Sequence, residues 1–321
     1  GPDYQEEALR VIHKKENGMD FREMLYITAV ADCRSVTAAA KRLYISQPSL
    51  SYIISKVEQD VGVKLFERRT YPLTLTYAGE KYVDTARKIL LLNDNLRKEL
   101  ADIGMGEKGK ISLGMPLERA GYMLSKVVGD FKERYPGVEL RLQESKVDNL
   151  VEMLLRDEID FFVAPKDRDN LPAGLKTEKI YREELLLVTP PGMVTEEMMV
   201  PGMEGMVDMG QLSQIPYILL KKGHANRKKT ENILKSHGIV PNIAMEVSSC
   251  ISAVQLAASG LGAAIVPLRA LEVLGGKEKF CCYTYSREPD GWDVNVFYKE
   301  DVYLDRAERY LIERMKEVFA F

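Results

Sequence analysis

The spacing of apolar residues changes character near the middle of the chain. Between Phe21 and Ile103 they recur at helical intervals, and from Lys110 onward short apolar runs alternate with helical stretches. Phe21 to Ala31 predicts a helix with Phe21, Met24, Leu25 and Thr28 along one face. Ser35 is placed to cap a short helix from Val36 to Leu43, and its Ala38-Ala39-Ala40 run lets a following helix approach closely. Tyr44-Ile45 reads as a turn, and Ser46 as the cap of a third helix running to about Asp60. The buried stripe of that helix is Leu50, Ile53, Ile54, Val57 and Val61. Its other face carries Gln47, Pro48, Ser49, Ser51, Tyr52, Ser55 and Lys56, mostly short and polar and clustered toward the N-terminal end. A recognition helix in a DNA major groove places its base-reading side chains there. Pro48 fits the first turn, where a missing N–H loses no bond. Gln47 can pair with adenine through two bonds, and Ser49 and Ser51 can reach bases or phosphates. Gly62 ends the helix, and the segments 63–69 and 71–76 read as a hairpin wing, with Arg68 and Arg69 placed to touch backbone or minor groove.

Thr76 is the expected cap of a long helix from Tyr77 to about Ile103. Tyr82, Ile89, Leu96 and Ile103 recur every seven residues, as do Ala86, Asn93 and Leu100 between them, which defines a heptad seam suited to a coiled-coil dimer. The alternative is a helix packed on its own domain. Gly104, Gly106 and Gly109 mark a joint.

These blocks together resemble the LysR-type family of transcriptional regulators. The matching residues are the alanine-rich second helix, Ser46-Gln47-Pro48-Ser49-Leu50-Ser51, Leu65-Phe66-Glu67-Arg68 and Leu75-Thr76-Tyr77-Ala78-Gly79, spaced as in that family without gaps. The resemblance implies a winged helix-turn-helix in which Gln47, Pro48, Ser51 and Tyr52 face DNA with Arg68 in the wing. Thr37, Ser46, Ser49, Lys56 and Arg69 complete the candidate DNA-binding set. Tyr52 departs from the arginine or glutamine frequent in the family, and tyrosine lacks the bidentate fit to guanine; packing of Tyr52 on the wing is the other reading. The resemblance also implies dimerisation through the long helix, so that two recognition helices meet two half-sites of a near-palindromic promoter.

Beyond Lys110, strands at 111–115, 138–142, 159–164, 184–189, 217–220, 243–247 and 263–266 alternate with helices, which predicts an α/β architecture with mostly parallel sheets. This half resembles the LysR effector domain, itself similar to two-lobed periplasmic solute-binding proteins. Phe131 to Val138, Glu144 through Asp160, and Glu246 through Pro267 with Gly260-Leu261-Gly262 carry the likeness. By that analogy the chain crosses between lobes near Ala164-Pro165 and returns near Cys282 to Arg287. Ligands of such lobes lie at helix N-termini beyond strand ends, where free N–H groups favour anions. The corresponding positions are Met115, Pro116, Leu117, Glu118, Glu144, Ser145 and Ala164 in the first lobe, and His224, Ala225, Ser248, Ser249 and Cys250 in the second. Ser248 and Ser249 suit a carboxylate, although Ser249 is equally placed as a helix cap. Met115-Pro116-Leu117 departs from the serine or threonine of many relatives. Glu118 and Glu144 point to a ligand with a positive group, such as an amino acid or amine; capping or a solvated edge is the plainer alternative.

The expected organisation is residues 1–18 as tag or extension, Gly1-Pro2 being the mark of a protease scar, then a DNA-binding domain over 19–76 and a linker helix over 77–105. An effector domain follows over 106–321, with lobe one at about 110–164 and 287–321 and lobe two at about 165–286. The net charge of −3 does not announce a nucleic-acid binder, but 19–79 holds eight basic against six acidic residues. No apolar run reaches the roughly 18 residues of a membrane span, and no secretory signal opens the chain, so a cytoplasmic protein is expected. Four cysteines (Cys33, Cys250, Cys281 and Cys282) show no CxxC pair. Some LysR-type proteins sense oxidants through a cysteine pair, but the spacing here gives that no support. His13, His224 and His237 share no metal-ligand spacing. The six methionines between Met193 and Met209 can fill an irregular surface or hold a soft metal. No cofactor is expected. No P-loop, GxSxG or HExxH is present, so an enzyme is disfavoured. A transport-type binding protein fits neither the N-terminal motif nor the missing signal. The expectation is a regulator, dimeric or tetrameric, whose action on promoter DNA is controlled by a small molecule in the C-terminal cleft.

Overall fold

The computed structural model describes residues 20–67, 70–104, 109–165, 172–274 and 279–320. The chain divides into two compact units at Gly104. The first contains α1 (Phe21–Cys33), α2 (Val36–Arg42), α3 (Gln47–Val61), strands β1 (Phe66–Glu67) and β2 (Thr74–Leu75), and α4 (Tyr77–Ile103). Local chemistry sets each boundary. Ser35 Oγ accepts from Ala38 N at 3.3 Å and Ser46 Oγ from Ser49 N at 3.2 Å, each satisfying an N–H that the helix leaves open. Gly62 ends α3 at φ 76°, a left-handed conformation that glycine adopts without strain. Ala39 and Ala40 are fully covered, so α2 and α3 meet closely, and Ile27, Val30, Leu50, Ile54, Val57 and Val83 close the core. The buried face of α1 is turned from the expected one. Ile27 and Val30 lie inside with Met24, while Phe21 and Leu25 are about half exposed.

A carboxylate locks the wing to the recognition helix. Glu58 is buried on α3 and accepts from Leu65 N at 3.0 Å, Phe66 N at 3.4 Å and Lys64 Nζ at 2.8 Å. Thr76 fastens the other side: its Oγ1 donates to Lys64 O at 2.6 Å and accepts from Gly79 N at 3.0 Å. A Cβ on Gly79 would lie 2.0 Å from Leu65 O, so only glycine lets α4 pass that close to the wing.

The second unit begins with β3 (Gly109–Met115), α5 (Arg119–Arg134), β4 (Val138–Glu144), α6 (Val147–Leu155), β5 (Phe161–Pro165) and β6 (Leu175–Thr189). It continues with β7 (Pro216–Leu220), α7 (Ala225–Ser236), β8 (Asn242–Val247), α8 (Cys250–Ala258), β9 (Ala264–Pro267), α9 (Leu268–Leu274), β10 (Cys281–Tyr283), β11 (Gly291–Lys299) and α10 (Arg306–Phe319). The sheets are mixed, where mostly parallel ones were expected. β3 runs parallel to β4 and β5, and β7 to β8, but β11 is antiparallel to both β5 and β6, and β9 and β10 are antiparallel to β6.

The crossing between lobes also lies later than Ala164-Pro165. From Leu175 to Glu184, β6 pairs with β11 in the first lobe; from Leu185 to Thr189 the same strand pairs with β9 and β10 in the second. One 15-residue strand therefore belongs to both cores, with Ile180 and Tyr181 in the first and Leu185 and Leu187 in the second. The chain returns where β11 starts at Gly291, where a Cβ would lie 1.8 Å from Glu183 O. Of the methionine-rich stretch, Met209 is buried in the second lobe's core and Met193, Met198 and Met199 pack against it, which is their gap-filling role. Among the described residues no helix is long and apolar enough to cross a membrane, and no cluster of three or more His, Cys, Asp or Glu could hold a metal ion.

Burial alone would raise the Glu58 carboxyl, but the bonds from Lys64 and the Leu65 and Phe66 N–H groups outweigh it and hold its pKa below the ordinary carboxylate value. A lowered folded pKa stabilises the fold above the unfolded value of about 4.3 and loses that contribution as pH falls through the folded value. Glu58→Ala is therefore expected to lose about 1–3 kcal/mol at neutral pH. Urea unfolding at a series of pH values should show the gap from wild type closing in the acid range.

Candidate functional site

Two surfaces carry the chemistry. On the first unit, α3 turns Leu50, Ile54 and Val57 inward, and its 3.6-residue period puts Tyr52 at the centre of the opposite face. Tyr52 is 70% exposed, so its side chain projects into solvent rather than packing on the wing. Ser46, Gln47, Pro48 and Ser49 are exposed around the helix N-terminus, Ser51 is half-covered, and Thr37 is exposed on the first turn of α2. Lys56 lies further along α3, paired with Glu23 of α1 at 2.7 Å. Arg68 and Arg69 lie outside the described residues. Tyr44, in the turn before α3, is 96% exposed at φ 55°, an uncommon conformation for a bulky residue.

On the second unit, a cleft of about 360 Å³ opens between the lobes. Pro116, Leu117, Glu118 and Ser145 line it from the first lobe, and His224, Ala225, Ser248 and Cys250 from the second. Four expected positions, Met115, Ala164, Glu144 and Ser249, are not part of this lining. Met115 shares the strand face of Ile111 and Leu113 and is buried in the first lobe's core. Ala164 likewise follows Phe162 inward, against Leu150 and Phe297. Glu144 ends the edge strand β4, exposed and away from the cleft lining. Ser249 caps α8, accepting from Ser252 N at 3.0 Å.

Other residues complete the cleft: Arg119, Tyr122, Lys146, Lys221, Lys222 and Trp292. Behind it lies Glu183 of β6, buried at the point of crossing. Its carboxylate accepts from Arg119 Nη2 at 2.7 Å, Trp292 Nε1 at 2.7 Å, Tyr181 Oη at 3.0 Å and Tyr122 Oη at 3.3 Å. Burial works against the charge on Arg119, but Glu183 beside it outweighs that and holds the guanidinium above its ordinary pKa. Arg119 Nε has no partner. No motif announces this cluster, whose members are joined across up to 109 residues of chain. The only sequence signal was the Glu183-Glu184 pair at the edge of the apolar run Leu185 to Val188.

The cleft is cationic and its polar groups are conditioned by burial. His224, at the N-terminus of α7, has its pKa lowered by burial first and by nearby Lys146 next, against an opposing pull from Glu118. The Cys250 thiol is pushed up to about 12 by burial, with Glu118 and Glu183 adding to it. The Glu118 carboxylate crosses the cleft. It accepts from Cys250 N at 3.0 Å and from Ser249 Oγ, both at the N-terminus of α8 in the other lobe.

Residues 21–80 match the family model described as bacterial regulatory helix-turn-helix protein, lysR family. Residues 104–320 match that of the LysR substrate binding domain. The HTH-type transcriptional regulator YcgK of Bacillus subtilis (strain 168) is 31% identical over 259 residues, spanning 78% of this chain and 80% of that protein. The HTH-type transcriptional activator CmpR of a Synechocystis strain is 26% identical, spanning 77% and 78%. Among solved structures, full-length OxyR from Pseudomonas aeruginosa has the same fold at a TM-score of 0.69 and 22% identity, covering 95% of each chain. CbnR in complex with its target DNA gives 0.52 and 23%, covering 93% of this chain and 99% of that one.

Glu183→Ala would strand the Arg119 charge in the interior and is expected to cost about 3–5 kcal/mol. Replacing both partners, as Arg119→Met with Glu183→Leu, is expected to recover most of it. Unfolding curves of the single and double variants, followed by emission of the chain's one tryptophan, measure both.

Proposed function

The chain belongs to the LysR family of bacterial transcriptional regulators, and we propose that it reads a near-palindromic promoter through paired copies of α3 and is controlled by a small molecule bound in the interlobe cleft. The observation that carries the DNA-reading half is the N-terminal face of α3. It bears exposed Gln47, Pro48, Ser49 and Tyr52, while the buried Glu58 fixes the helix against its wing. Gln47, Ser49 and Ser51 supply base-edge and phosphate contacts, and Thr37, Ser46 and Lys56 supply backbone contacts, with Arg68 and Arg69 assigned to the wing. The exposed Tyr52 offers one hydroxyl and an aromatic face where a bidentate reader would make two bonds. Such a protein acts in the bacterial cytoplasm, where its promoter is.

The pairing surface is α4. Its first turns serve its own domain, since Val83 and Ala86 are buried and Tyr82 packs on the core. Beyond them Leu92, Leu96, Leu100 and Ile103 are all more than half exposed, at spacings of four, four and three. Such a stripe suits a second copy of the same helix. Ligand in the cleft then alters the lobe angle or the contacts between copies, and with it the spacing of the paired recognition helices.

A gel shift on promoter DNA at several salt concentrations, with competitor DNA present, tests this reading; retention that does not survive competitor removes its central claim. Gln47→Ala is expected to weaken the specific site by about 1–3 kcal/mol and leave competitor binding nearly unchanged. Equal loss on both would show that Gln47 does not read a base. Leu96→Glu is expected to shift the protein toward monomer in sedimentation and to weaken promoter binding with it. An unchanged sedimentation coefficient would move the pairing surface off α4.

A further inference from the structure

Glu118 lies at the N-cap position of α5 but makes no cap bond to that helix. Its backbone is at φ 73° and ψ −32°, a conformation that side-chain-bearing residues disfavour. Its carboxylate instead seats on the α8 N-terminus of the opposite lobe, taking the Cys250 N–H and the Ser249 hydroxyl. A helix N-terminus with open N–H groups and a hydroxyl is built to receive an anion. Here the chain's own carboxylate is the anion. A second observation concerns Arg119, which lines the same cleft, is only 5% exposed, and keeps its buried Nε without a partner. Lys146, Lys221 and Lys222 line the same cleft, and Glu118 is the one acidic residue among the described residues that do. A cation would meet these lysines with Glu118 already bonded elsewhere; an anion meets a site of matching charge.

Resting on the reading of this cleft as the effector site, we propose that Glu118 is a tethered occupant of a carboxylate site, and that the effector is a carboxylate that takes its place on Ser249 and Cys250. Displacement frees the lobe-bridging bonds of Glu118, leaving the Lys126–Glu272 pair, and lets the backbone at Glu118 relax, so binding is coupled to a change of lobe angle. The tether holds a competing carboxylate at high local concentration, so the protein answers only to ligand levels high enough to overcome it. An amine effector, the class that Glu118 suggests in the sequence alone, is disfavoured by the same geometry.

The test uses the full chain and Trp292, its single tryptophan, which lines the cleft. Sodium acetate is the probe, with sodium chloride at matched ionic strength and acetamide as the neutral isostere. Glu118→Ala is expected to give a saturable change in Trp292 emission with acetate, at a half-saturation about tenfold below that of wild type. Acetamide and chloride should give none, and Ser249→Ala added to Glu118→Ala should abolish the response. Glu118→Gln keeps the shape without the charge, and the same lowered half-saturation is expected of it if truncation disturbs folding. Equal half-saturation in wild type and both variants overturns the proposal, as does an acetamide response matching that of acetate. The effector reading fails separately, if no compound in a metabolite panel alters promoter binding by the wild-type protein. If compounds do alter it while the variants bind acetate no more tightly, the tether alone is wrong.

Discussion

The effector unit is organised around one buried carboxylate at the point where the chain passes between lobes. Glu183 sits on the strand shared by both cores, and it draws in Arg119 and Tyr122 from α5, Tyr181 from β6 and Trp292 from the start of the returning strand. Both crossings are thereby tied to one atom group. A buried charge is tolerated only when its partners satisfy it completely, and four donors do so here. This fixes the floor of the cleft and the start of α5, and with it the position from which Glu118 reaches the second lobe. Above that floor the lobes are bridged by Glu118 and, outside the cleft lining, by the Lys126–Glu272 ion pair at 3.2 Å, so a ligand that displaces Glu118 removes one of the contacts that hold the lobe angle.

The DNA-reading unit applies the same constraint to a different end. Glu58 is as buried as Glu183, and its acceptors hold the backbone of the wing. Thr76 and Gly79 pin the linker helix to the same segment. Apart from Ser46, which caps α3, and Lys56, which pairs with Glu23, the reading face is therefore free of structural duty. The exposed residues at the tip of α3 can be exchanged to suit an operator while Glu58, Thr76 and Gly79 keep the frame. The departure at Tyr52 is readable in those terms: it lies on the exchangeable side, facing solvent.

What the sequence disclosed and what it hid divide by the distance over which partners meet. Ser35, Ser46 and Thr76 are legible as caps because each bonds an N–H three residues on. The recognition helix follows from its own period, and the resemblance of the first unit follows from short blocks such as Ser46 to Ser51 and Leu75 to Gly79. The lobe crossing was misplaced because β6 pairs with β11, more than 100 residues later, and no local pattern records that. Met115 and Ala164 were assigned to the cleft from their place at strand ends, but the two-residue alternation of their strands turns both inward. Glu118 and Ser249 were recognised as separate candidates with opposite implications for the ligand. Only the fold shows that each is the other's partner, across 131 residues.

That partnership also bears on the cysteines. Cys250 lines the cleft between Ser249 and the body of α8. Sensing by direct oxidation needs a thiolate, and thiolates form where positive charge or helix dipoles lower the pKa. The α8 N-terminus would ordinarily do this, but burial opposes ionisation of the thiol, and Glu118 takes the Cys250 N–H and adds negative charge. With its thiol pushed up to about 12, Cys250 contributes a backbone donor and a small apolar wall. Cys281 and Cys282 sit together on β10, at the far side of β6 from the first lobe. In the proposed exchange of an anion with a tethered carboxylate, Cys250 therefore takes part through its backbone N–H and not through its sulfur.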